Sequence, residues 1–302
     1  MSVSTSTFSP AEQFSGLPSG PEFLSSSFSG GWSAGADRER MREAVGRACD
    51  HFEVTWQPDS LIWGWQCRNA NLPVGEGLWL RMSSVIGGKN ARFQATWDGP
   101  ATADAAMPAG VPRPRLLDSE EWTQDGYYYR AEVYQRAANG SLSTSRRPPD
   151  GLELPTYWWT SLRSSLNAIS RVRTDRYRIR PDYLRFIMPL HLGTSISTQT
   201  RWAAAHGDLV WSNIGGPRLY FFDWEYWGLA PVGFDAAVLY TSALDNPEVA
   251  RRVWAAFQTL FESPEGRFAL LAACAIWLER VSEDMFPELE EPLRSLVGRL
   301  LP

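Results

Sequence analysis

The chain has 302 residues, 44% of them hydrophobic, enough to fill one large core or two smaller ones. Its net charge of −5 and pI near 5.4 leave no basic footprint for nucleic acid, and its longest strongly apolar run, 268–278, is too short to span a bilayer. Cys49, Cys67 and Cys274 are odd in number and widely spaced, so they read as reduced thiols and not as a disulfide framework. With no basic-then-apolar leader at the N-terminus, a cytoplasmic location is expected.

Residues 1–35 are rich in Ser, Gly and Pro without a period, and read as a disordered or loosely docked arm. Met41, Ala44, Val45 and Ala48 recur at helical spacing, so a helix is expected over 37–51. The short apolar pieces of 52–82 suit three antiparallel strands, with a turn near 60–65 that holds one glycine, Gly64. In 95–107 a short helix is expected, restricted at its start by Gly99-Pro100 and carrying Asp98 and Asp104. The stretch 127–134 is aromatic and β-rich.

Beyond it, 154–169 has helical spacing in Tyr157, Trp158, Leu162, Leu166 and Ile169. The run 171–180 holds five arginines and reads as a solvated connector, the overall acidity arguing against an anion patch. A buried helix or turn is expected over 183–191. Asp235 opens an apolar stretch, where it can cap a helix. Apolar faces at helical spacing follow in 249–261 and 267–279. His51, His191 and His206 share no metal-ligand spacing, so a zinc site is not expected.

The most informative run is His206-Gly207-Asp208-Leu209-Val210-Trp211-Ser212-Asn213, followed by Asp223-Trp224-Glu225. Between them Ile214-Gly215-Gly216-Pro217-Arg218 is turn chemistry, so a hairpin should return Asp223 beside Asp208. The pattern H-G-D-x-x-x-x-N, then D-W-E, matches the spacing logic of kinase catalytic loops. It resembles the aminoglycoside phosphotransferase and choline kinase superfamily.

That resemblance implies an α+β, two-lobed protein-kinase-like fold, with an N-lobe at 36–137 and a mainly helical C-lobe at 138–302. It implies a phosphotransferase that moves the γ-phosphoryl group of ATP or GTP to a hydroxyl of a small molecule such as an aminoglycoside, amino sugar or amino alcohol, a cationic acceptor being one option. Asp208 would be catalytic, Asn213 and Asp223 would hold Mg2+, and His206 and Asp235 would support the loop. Arg81 stands where the family places a phosphate-binding lysine, since Lys89 is the only lysine and falls in a loop. Asp104 is the expected acidic partner of Arg81. Adenine would lie in an apolar slot against the backbone around Val133 and Gln135. The acids Glu279, Glu283, Asp284, Glu288, Glu290 and Glu291 are either a cationic-acceptor site or, more commonly, a charged surface. Trp211, Trp224 and Trp227 are either core or stacking platforms. Two alternatives stay open: a nucleotide-binding regulator with weak or no catalysis, and nucleotidyl transfer on the same fold.

Overall fold

A computed structural model describes residues 34–64, 69–86, 96–194, 196 and 200–301. The expected arm lies outside them except for its last two residues, which begin a helix, and Lys89, Cys67 and the end of the 60–65 turn also lie outside.

Helix α1 (Ala34–His51) buries Met41, Ala44, Val45 and Ala48, as its spacing requires. They pack on one face of an antiparallel sheet ordered β1-β2-β3-β5-β4. Its strands are β1 (Ile62–Trp63), β2 (Asn69–Val74), β3 (Leu78–Ile86), β4 (Leu116–Gln124) and β5 (Tyr127–Gln135). The two-residue pleat turns Leu72, Leu80, Met82, Tyr129, Ala131 and Val133 toward α1. It therefore turns Arg81, Ser83, Arg130 and Glu132 to the opposite face, where they line a cleft. Between β3 and β4, α2 (Gly99–Ala106) begins at the glycine-proline pair and packs on the D-W-E segment.

The rest of the chain is mainly helical: α3 (Thr156–Ile169), α4 (Pro181–Leu192), α5 (Phe234–Thr241), α6 (Pro247–Phe261), α7 (Pro264–Ser282) and α8 (Glu290–Leu300). Helix α7 is the axis of this second core. Its Ala269–Ala275 stretch is buried on every side, with α4, α5, α6 and α8 packed around it. Side-chain oxygens of Asn246 and Ser263 cap α6 and α7 by accepting from the N–H groups of Val249 and Gly266. Two small ribbons carry the motif: β6 (Trp202–Ala205) pairs with β9 (Gly228–Pro231), and β7 (Ile214–Gly215) with β8 (Tyr220–Phe221). The expected hairpin is present, with strands of two residues each. Among the described residues no helix is long and apolar enough to cross a membrane.

Candidate active site

Strand β6 ends at Ala205 and delivers the loop that follows. The Asp235 carboxylate, at the start of α5, accepts from the backbone N–H of His206 at 2.7 Å and of Gly207 at 2.8 Å. It braces the loop but does not cap its helix, whose N-cap is Gly233. His206 is fully buried: its ring lies 4.7 Å from the Trp224 ring, and its Nε2 is 2.8 Å from the Phe222 carbonyl. Gly207 has φ +85°, and a Cβ there would lie 2.4 Å from the Tyr226 carbonyl oxygen, so only glycine fits.

Asp208 is thus presented on a loop clamped from both sides. Asn213 donates from Nδ2 to the Asp208 carbonyl at 2.9 Å and to its Oδ2 at 3.1 Å, while its Oδ1, the acceptor end of the amide, has only the Ser212 hydroxyl near it, at 3.4 Å. The Phe222 N–H donates to the Asn213 carbonyl at 2.9 Å, so β8 returns Asp223 to the same place. Asp223 itself takes a left-handed backbone, φ 58°.

Arg81 reaches this group from β3. Its Nη2 lies 2.7 Å from Glu225 Oε2 and its Nη1 3.5 Å from Asp223 Oδ1. The expected partner Asp104 is corrected: it faces away, 2.9 Å from Arg115 and 3.4 Å from Arg113. The acidic partner comes from the D-W-E segment itself, and α2 makes this feasible by close approach. A Cβ on Gly99 would lie 2.4 Å from the Glu225 carbonyl oxygen, and Trp227 Nε1 donates to the Gly99 carbonyl at 3.0 Å.

Glu132 is the cross-strand neighbour of Arg81 and is almost wholly buried, its Oε1 without a hydrogen-bond partner. Burial raises its pKa, against the pull of Arg81 and Arg130. Burial also opposes the charge of Arg81, but Glu225, Asp223 and Glu132 more than reverse this and raise its pKa. The Asp208 carboxyl is raised by desolvation, with Arg178 pulling the other way. Glu225 is raised too, by desolvation and then by the Asp223 charge.

These groups share one cavity of about 440 Å³. Arg81, Asp208, Asn213, Asp223, Glu225 and Glu132 all line it. Val133 and Gln135 do not. The Val133 side chain belongs to the core under α1, and the Gln135 N–H is already donated to the Arg115 carbonyl at 2.9 Å. The Arg136 N–H is likewise donated to the Gly77 carbonyl at 2.9 Å. The sheet side of the cleft is polar, not the apolar slot expected.

Other expectations also shift. Trp211, Trp224 and Trp227 are buried packing, while Trp277 on α7 lines the cavity. The 171–180 run is only partly a solvated connector. Arg176 is half-buried and bonds to the carbonyls of Trp227 and Glu225, and Arg178 is half-buried and bonds to that of Gly207. Of the C-terminal acids, Glu279 accepts from the Tyr183 hydroxyl, Glu288 pairs with Arg146 and Glu290 with Arg294. Glu283 faces Arg280 at 3.8 Å, and none of the six acids lines the cavity. Sequence reasoning missed Glu225, Glu132, Arg178 and Arg280. The one signal on hand was Glu225, the third letter of D-W-E.

Neither a family model nor a curated protein sequence matches the chain. Solved structures do. The aminoglycoside phosphotransferase APH(4)-Ia aligns at a TM-score of 0.58 and 13% identity, covering 85% of this chain and 98% of that one. A thermostable mutant of it, in a ternary complex with ADP and hygromycin B, aligns at 0.57 and 14%, covering 84% and 97%. The amicoumacin kinase hAmiN, with AMP-PNP, Ca2+ and Ami, aligns at 0.51 and 10%, covering 85% and 94%. At these identities the likeness is one of fold. The chain has the α+β, two-lobed protein-kinase-like fold that the aminoglycoside phosphotransferases share.

Proposed function

We propose that the protein is a small-molecule phosphotransferase that moves the γ-phosphoryl group of ATP or GTP to a hydroxyl. The observation that carries this reading is the convergence of Asp208, Asn213, Asp223 and Arg81 on one cavity from three segments: the 206–213 loop, the end of β8 and strand β3. Residues 36–137 serve as the nucleotide-covering lobe and 138–302 as the catalytic lobe.

Asp208 orients the acceptor hydroxyl and takes its proton, and its raised pKa makes it a stronger base than a solvated aspartate. Asn213 Oδ1 and the Asp223 carboxylate are hard oxygen donors, the set that suits Mg2+. Held by these two residues, Mg2+ would supply neutralisation of phosphate charge. Arg81 steadies the non-transferred phosphates with a permanent charge and a planar fork, and Glu225 holds that fork in place. His206 and Asp235 fix the loop without touching substrate.

The neighbour that holds hygromycin B suggests an amino sugar as acceptor. A strongly cationic aminoglycoside or amino alcohol would be matched by carboxylates at the acceptor end, where this cavity carries guanidinium groups. The class is therefore not carried over.

Titration calorimetry of Mg·ATP and Mg·GTP against wild type, Asp223→Asn and Asn213→Ala tests the nucleotide part. We expect binding of at least one nucleotide that depends on Mg2+ in the wild type and loses that dependence in both variants. Absence of nucleotide binding by the wild type refutes the reading.

A further inference from the structure

Beyond Asp208 the cavity is walled by Arg146, Arg178 and Arg280, with Tyr226, Trp277 and Phe286 between them. Arg146 is engaged by the chain itself. It pairs with Glu288, lies 3.6 Å from Asp245 and stacks over Phe286 at 4.9 Å.

The other two arginines are not so engaged. Arg178 donates from Nε to the Gly207 carbonyl at 2.7 Å, with its guanidinium 4.8 Å over the Tyr226 ring. Among the described residues it meets no carboxylate at ion-pair distance, and neither Nη donates a hydrogen bond. Arg280 has a side chain 16% exposed and forms only a long ion pair, with Glu283 at 3.8 Å, beyond hydrogen-bonding reach. Its Nη1 is buried without a partner.

Two cations with unspent donors therefore face one cavity beside the Asp208 carboxylate. Burial first, with the Arg178 charge adding to it, lowers the Arg280 pKa against the pull of Glu283 and Glu279. A buried charged donor left without an acceptor, as the Arg280 Nη1 is, is costly, and an anion between the two guanidinium groups would offset both that cost and their repulsion. Arg81, on the opposite wall, is the cation placed for the nucleotide, so this pair is left for the other substrate.

We propose that the acceptor is an anionic alcohol: its hydroxyl sits at Asp208 while a carboxylate or phosphate on the same molecule is held by Arg178 and Arg280. The assignment rests on the phosphotransfer reading and names its substrate class. In the transfer, the hydroxyl oxygen bonds to the γ-phosphorus and its proton passes to Asp208. The bond from the γ-phosphorus to the β–γ bridging oxygen breaks, and its electron pair leaves with the nucleoside diphosphate. Trp277, Phe286 and Tyr226 would cover the carbon skeleton between the two ends.

The test uses matched sets that differ in charge: glycerate against glycerol, and gluconate and glucose 6-phosphate against glucose and glucosamine. Binding to the full chain is measured by calorimetry with Mg·AMP-PNP present, and turnover by ADP release from Mg·ATP. The carboxylate and phosphate arms report separately. We expect anionic members to bind about 10-fold or more tightly than their neutral or cationic partners, with Arg178→Gln and Arg280→Gln each weakening anion binding about 10- to 100-fold. Arg280→Lys should recover part of the loss, and a thermal melt checks that each variant is folded.

Preference for neutral or cationic members, no binding of any anionic member, or anion binding indifferent to both substitutions overturns the proposal. Mg·ATP binding, measured in parallel, separates the two readings. Anions held through Arg178 and Arg280 without nucleotide binding would leave the anion site standing and remove phosphotransfer. Nucleotide binding with no preference for anions would do the reverse.

Discussion

Replacing Glu225 with Gln removes the charge that holds Arg81 while keeping the side chain's size. The pair is 2.7 Å apart, with side chains 11% and 20% exposed, so it is largely shielded from solvent. At an effective dielectric near 20 the gross attraction at about 4 Å is about 4 kcal/mol. Arg81 keeps Asp223 at 3.5 Å, and a glutamine oxygen can still accept a neutral hydrogen bond. A net loss of about 1–2 kcal/mol is therefore expected, which lowers the melting temperature by about 2–6 °C.

The second consequence is more specific. Without Glu225, Arg81 turns its charge on Asp223, the carboxylate proposed to hold Mg2+. The Mg2+ concentration for half-maximal nucleotide binding should rise about 5- to 30-fold, the equivalent of the same 1–2 kcal/mol. Titrating Mg2+ at fixed ATP in the two proteins reads this directly. An unchanged Mg2+ midpoint, together with a melting temperature within about 1 °C of wild type, would refute the role given to this pair.

Asp235→Ala strips the backbone N–H groups of His206 and Gly207 of their acceptor, at about 1–3 kcal/mol each. Urea unfolding should show a loss of about 2–5 kcal/mol, and a loss below about 1 kcal/mol would contradict the bracing role. Gly99→Ala drives a methyl into the Glu225 carbonyl, so α2 or the D-W-E segment must shift. A cost of about 1–3 kcal/mol in the same assay is expected, with turnover reduced as well. As the proposed base Asp208 must be ionised, and desolvation raises its pKa from the ordinary aspartate value of about 3.9. The acid limb of kcat/KM should therefore fall away as pH drops through a value above that range, and a limb at or below it would contradict the assignment.

What the sequence made legible is what local spacing encodes. The loop residues Asp208 and Asn213 and the returning Asp223 lie within sixteen positions of one another and are joined by turn chemistry. The helical faces of α1 and α6 follow from apolar periodicity in the same way, whereas α7 is buried all round over Ala269–Ala275. The Arg81–Glu225 pair spans 144 positions, so nothing local announces it, and a reader looking for an acid on the next helix meets Asp104 first.

The 171–180 run misleads for a similar reason. Charge density argues for solvent, but the carbonyls that take up Arg176 and Arg178 arrive from segments far along the chain. The side on which the Val133 side chain falls was legible. Its parity with Tyr129 and Ala131 puts it on the α1 side, while Arg130 and Glu132 alternate toward the cleft. The C-terminal acids show the reverse case: a conspicuous cluster, much of it answered by arginines and a tyrosine of the same chain.

The most direct test of the account is phosphorus NMR of Mg·ATP and Mg·GTP incubated with the protein and a pool of hydroxyl compounds, wild type beside Asp208→Asn. The account predicts a nucleoside diphosphate and a new phosphomonoester in equal amounts, only with acceptor present and only in the wild type. AMP and pyrophosphate, or no phosphorus product in the wild type from any acceptor, would contradict it.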